Sequence, residues 1–88
     1  MQSELAENQM VYCNLVEYDN RKVIYDFGGD INDITGRFTF DYVNSELEIN
    51  KEPDIEMAPI RHIHRMLRMN QTGFNKGVFK EKMSYECG

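Results

Sequence analysis

Over most of positions 10–50, apolar and polar residues alternate with a period of two, the signature of half-buried strands. In residues 10–18, Val11, Cys13 and Leu15 fall on one face and Met10, Tyr12, Asn14 and Val16 on the other. Asp19-Asn20 follows, a pair that tolerates tight hairpin geometry. The chain then returns through 22–27, with Val23, Tyr25 and Phe27 opposed to Ile24 and Asp26, until Gly28-Gly29 interrupts it. Residues 30–36 read as a polar loop carrying Ile31 and Ile34. In 37–43 the alternation is nearly strict, placing Phe38, Phe40 and Tyr42 inward and Arg37, Thr39 and Asp41 outward. Asn44-Ser45 predicts a second turn, 46–50 a fourth strand with Leu47 and Ile49 inward, and Pro53 the end of the meander.

The period changes to that of a helix over 57–71, with Pro59 in its first turn and Gly73 as its stop signal. At 100° per residue, Ile60, Ile63 and Leu67 share the face expected to pack, with His64 near it. Arg61, Arg65 and Arg68 form a stripe beside that face, while His62, Met66 and Met69 lie away from it. Residues 78–85 alternate again, Phe79, Met83 and Tyr85 against Lys80, Lys82 and Ser84, and predict a last strand. The order ββββαβ predicts an α+β fold, a four- to five-stranded antiparallel sheet with one helix packed on one face. The polar segment 1–9 is expected to be a flexible leader to a single domain over 10–88.

Composition narrows the class. A chain of 88 residues holds one core. Its apolar runs are a few residues long, far short of the ~20 needed to cross a bilayer, so no membrane role is expected. Cys13 and Cys87 are a lone pair at opposite ends of the chain, which suits a reduced, cytoplasmic protein; they are within reach of one another only if the first and last strands are neighbours.

The formal charge of -5 is unevenly spread. Residues 26–56 carry nine acids against Arg37 and Lys51, whereas 57–82 carry six bases against Glu81. An acidic sheet region facing a basic helix either solvates the molecule or marks a partner surface. The candidate binding residues are therefore Asp26, Asp30, Asp33 and Asp41 on one side and Arg61, Arg65, Arg68 and Met69 on the other.

Catalytic and metal motifs are wanting. His62 and His64, two apart on a helix, point to opposite sides and cannot share an ion. Taken from Asp30, the loop fails the calcium-binding EF-hand register: Ile34, Thr35 and Asp41 stand where an oxygen ligand, a glycine and a bidentate glutamate are required. There is no phosphate-binding loop, dinucleotide fingerprint or nucleophile elbow. Neither an enzyme nor a cofactor or metal is expected. The expected function is protein binding, of the inhibitor, antidote or accessory-factor type seen in small acidic chains of bacteria or phage, through a protein partner or self-association as a homodimer. The alternative is a nucleic-acid-associated regulator that contacts phosphates through Arg61, Arg65 and Arg68.

Overall fold

The computed structural model describes residues 9–87, so the polar leader lies, but for Gln9, outside the described residues. Strands β1 (Gln9–Tyr18), β2 (Lys22–Gly28), β3 (Gly36–Asp41) and β4 (Glu46–Lys51) are followed by helices α1 (Ile60–Met69) and α2 (Gln71–Asn75) and by strand β5 (Lys82–Cys87). The five strands form one antiparallel sheet in the order β4-β3-β2-β1-β5, the α+β architecture that the alternation predicts. Its inner face is continuous across the strands: Val11, Cys13, Val23, Tyr25, Phe27, Phe38 and Phe40 are buried, with Leu47 and Ile49 packed at the edge. Buried Ile63, Met66, Leu67 and Phe74 cover that face from the helices. The opposite face mixes polar residues with Tyr12 and Ile24, and there Asp26 and Arg37, cross-strand neighbours, pair at 2.8 Å.

The helix begins three residues later than its sequence pattern suggests, for two physical reasons. Ala58 precedes Pro59, which disfavours helical backbone at that position, and the Glu56 carbonyl already accepts from the Gly29 N–H at 3.0 Å. Residues 52–59 therefore stay non-helical, and the Pro59 carbonyl accepts the first helical bonds, from the N–H groups of His62 and Ile63.

The buried face is also rotated from the expected one. Ile60, in the first turn, is 43% exposed and His64 is exposed, whereas His62 and Met66 are buried together with Ile63 and Leu67. The rotation follows from β5 as the neighbour of β1: Tyr85 lies against the His62 ring at 5.9 Å, and the Cys13 thiol donates to Met66 Sδ at 3.9 Å.

Gly73 does not stop the helix but sits inside α2. The break comes at Asn70, whose side-chain amide donates to the Met66 carbonyl at 2.8 Å and so competes for the helix's own acceptor. Gly77, at φ 79°, closes α2, with the Val78 N–H donating to the Gly73 carbonyl at 2.8 Å. Residues 78–81 are not strand. They cross to β5 with Phe79 turned into the core edge and the Lys80 carbonyl accepting from the Tyr25 hydroxyl at 2.8 Å.

A β-bulge in β1 between Leu15 and Glu17 alters the face assignment beyond it. Simple alternation sends Tyr18 to the outer face. The bulge instead sets it opposite inward-facing Val23, where it stacks on Phe79 with ring centroids 4.1 Å apart. Phe79 in turn stacks on Phe74 at 5.4 Å, and Tyr42 touches both rings. Phe74 is thus the centre of the packing between α2 and the sheet. Replacing Phe74 with Ala is expected to cost about 3–5 kcal/mol in urea or thermal unfolding, whereas Ile60→Ala, at the exposed start of α1, is expected to change stability by less than about 1 kcal/mol.

Candidate binding surfaces

The four aspartates singled out from the sequence do not form one surface. Asp41 lies at one end of β3 and the 29–35 loop at the other, five residue steps or about 17 Å apart. Asp33 is buried and acts as a clasp. Its Oδ2 accepts from the N–H groups of Ile55 (2.6 Å) and Glu56 (3.1 Å), and its Oδ1 from the Thr35 hydroxyl (2.7 Å). The Thr35 hydroxyl accepts in turn from the Asp54 N–H at 2.8 Å. These bonds stitch the loop after β2 to the segment that leads into α1.

Gly28 permits the loop to fold back so closely: a Cβ there would lie 1.8 Å from the Asp33 carbonyl oxygen. The Thr35 hydrogen bond, followed by those from Ile55 and Glu56, holds the Asp33 carboxyl below its usual range.

Asp41, expected to point outward to solvent, is likewise buried. Its Oδ1 accepts from the N–H groups of Val43 and Asn44 at 3.0 and 2.9 Å, which shapes the β3–β4 turn, and its Oδ2 pairs with Arg21 at 3.1 Å. The Asn44 N–H is the first cause of a pKa lowered to about 2. Asp30 caps its own loop by accepting from the Asn32 N–H at 2.8 Å, and Asp26 is engaged by Arg37. Exposed acid remains on β4 and the segment after it, at Glu46, Glu48, Glu52, Asp54 and Glu56.

The basic candidates stand as the helical spacing predicts. Arg61, Arg65, Arg68 and Met69 are all exposed on α1, with Met69 at 72%. The ion pairs among the described residues are Arg21–Asp41, Arg37–Asp26 and Lys51–Asp54, so none engages these three arginines.

An aromatic groove escaped the sequence reading. At the hairpin end of the sheet, Tyr18, Tyr42, Phe74 and Phe79 line an open groove of about 730 Å³, flanked by exposed Val43. The signal was masked because the bulge reverses the phase of β1 at Val16, and two adjacent apolar residues, Leu15-Val16, do not reveal which of them leaves the register.

No cluster of three or more His, Cys, Asp or Glu suited to a metal occurs among the described residues. His62 is buried with Nδ1 unpartnered, and burial, reinforced by Arg61 and Arg65, pushes its pKa down. Burial pushes the Cys13 thiol up to about 12. Although β1 and β5 are neighbours, their register sets Cys13 opposite Met83 and Cys87 opposite Gln9. The two cysteines are thus four residue steps, roughly 13 Å, out of register, too far for a disulfide.

No protein-family model, no curated protein and no solved structure matches this chain. Among the described residues, no helix is long and apolar enough to cross a membrane.

The shifted groups predict how stability varies with pH. His62 protonates in the unfolded chain near the ordinary value of about 6.5 but only at lower pH in the fold. Its contribution is therefore complete above pH ~6.5 and is lost as pH falls through the folded pKa. Asp41 contributes fully above about pH 4 and loses its contribution as pH falls toward its folded value of about 2, with Asp19 and Asp33 shifted in the same direction. Urea midpoints measured from neutral to strongly acidic pH should fall in two stages, and His62→Leu should abolish the upper stage while leaving the lower.

Proposed function

We propose that this protein is a non-catalytic protein-binding domain whose contact surface is the solvent face of α1 and whose partner presents an acidic surface. The observation that supports this reading is the set Arg61, Arg65 and Arg68, exposed on successive turns and outside every ion pair of the described residues, beside the exposed Met69. Arginine and methionine are enriched in interfaces. A guanidinium without an internal partner is available to a carboxylate on another molecule, for which its planar fork suits bidentate pairing. Of the candidate aspartates, by contrast, Asp33 and Asp41 are buried and Asp26 is paired with Arg37, so the free acid lies instead on the glutamates of β4 and the segment after it. A reduced cytoplasmic setting fits the buried, unpaired Cys13.

A second reading uses the same arginines against nucleic-acid phosphates. It is favoured by their helical spacing and opposed by the chain's formal net charge of -5, which repels a uniformly charged polyanion more than a protein that is acidic only over its contact patch.

The experiment compares the tagged wild-type chain with an Arg61→Ala, Arg65→Ala, Arg68→Ala triple variant in capture from native lysate at low and high salt. All three side chains are exposed, so the variant is expected to fold, each change costing within about 0.5 kcal/mol. The expected result is an acidic protein retained by the wild type and lost by the variant. Nucleic acid that leaves with a log-log salt slope of about -0.9 per duplex phosphate contact would favour the second reading. Identical partners for both chains would overturn both.

A further inference from the structure

We propose that the free edge of β5 pairs with β5 of a second copy of this chain, so that two five-stranded sheets join into one continuous sheet about a two-fold axis. The starting observation is topological: in the order β4-β3-β2-β1-β5, β5 is an edge with β1 on one side and no described strand on the other. An edge strand displays unpaired N–H and C=O groups and acts as a template for another strand.

The direction of those groups follows from the β1–β5 ladder. The Leu15 N–H donates to the Glu81 carbonyl at 2.8 Å, and continuing that register, Cys13 faces Met83 and Val11 faces Tyr85. Hydrogen-bonded pairs recur every second residue of an antiparallel ladder, so Met83 and Tyr85 bond toward β1 while Lys82, Ser84 and Glu86 direct their backbone groups to the open edge. Antiparallel self-pairing must then set these outward residues opposite one another.

The register centred on Ser84 does this over the length of the strand. It places Ser84 opposite the partner's Ser84, and Lys82 opposite the partner's Glu86, and by symmetry Glu86 opposite the partner's Lys82. Oppositely charged residues directly across from one another stabilise a ladder, and like charges destabilise it. A slip of two residues removes both Lys–Glu pairs from the strand.

On the inner face the same register sets Met83 beside the partner's Tyr85, and Tyr85 beside the partner's Met83. A groove of about 310 Å³ runs there between α1 and β5, where Met69, Met83 and Tyr85 share the lining with Asn70, Lys80 and Lys82. It is where the partner's Met83 and Tyr85 side chains would approach. The other edge, β4, lacks this complementarity, because its exposed Glu46 and Glu48 offer like charge to a second β4. The pairing does not depend on what α1 binds. It would set the two α1 helices on one face, flanking the seam.

Sedimentation equilibrium of the full chain over a wide concentration range is the test. The wild type is expected to show a monomer–dimer equilibrium. Ser84→Pro is expected to remain folded, since the N–H it removes points away from β1, and to be monomeric. Lys82→Glu and Glu86→Lys, each of which sets like charges opposite one another twice, should each weaken the dimer about tenfold. The two changes together, which restore opposite charges, should recover it. That recovery reports the register even if Ser84→Pro fails to fold. A wild type that stays monomeric at millimolar concentration would overturn the proposal and leave the edge to a strand of another protein. A dimer indifferent to Ser84→Pro, or a double charge variant no tighter than the single ones, would overturn it as well.

Discussion

The rest of the molecule depends on covering one apolar sheet face with very little helix. The three central strands bring Val11, Val23, Tyr25, Phe27, Phe38 and Phe40 to a common surface, yet the fifteen helical residues of α1 and α2 are all the helix that lies above it among the described residues. Leaving such a face in water forfeits roughly 25 cal/mol per Å², so each irregular segment that crosses the sheet is recruited to help. Met57 and Ala58 pack before α1 begins, and Phe79 packs after α2 ends. Phe74 and Phe79, stacked on each other and tilted against Phe40 and Tyr42, close the end that α1 does not reach.

That cover works only if the crossing chain is held in place, and the buried Asp33 carboxylate holds its start. Residues 52–81 must travel from β4 at one edge of the sheet to β5 at the other. Asp33 fixes the start of the journey through the backbone of Ile55 and Glu56, and Gly28 leaves room for the clasp. At the opposite end, Asp41 secures the β3–β4 turn and the Tyr42 hydroxyl donates to the Asp19 carbonyl at 2.6 Å, tying the two hairpin ends together. A carboxylate that accepts several N–H bonds in a loop stabilises the fold and gives up its freedom to meet a partner. Asp33 and Asp41 are therefore lost to the acidic surface, which falls to the exposed glutamates, while the basic helix is as exposed as its spacing suggests.

The same economy shapes where the protein can meet other molecules. Placing β5 beside β1 completes the core but leaves β5 at the rim, with polar backbone groups directed outward and a groove of mixed lining against α1. Small domains with a thin core gain stability from association by mass action. In the proposed pairing, an edge strand of matched charges would let a second copy supply that stability without altering the fold.

Local patterning by itself determined strands β1 to β4 and their antiparallel succession, the existence of β5 though it begins four residues later than alternation places it, the inward Phe38 and Phe40 of β3, and the exposure of Arg61, Arg65, Arg68 and Met69. Each of these follows from a period of two or of 3.6, which any short window of residues carries. What only the tertiary structure decided lay between elements. Asp33 and Asp41 became buried anchors because distant backbone N–H groups were brought to them. The packed face of α1 rotated toward His62 and Met66 because β5 proved to be its neighbour, and Tyr18 changed faces at a bulge that alternation does not encode. Cys13 and Cys87 lie on adjacent strands yet out of reach, because ladder register depends on which residues face each other across strands joined by a long stretch of chain, and no local window contains both.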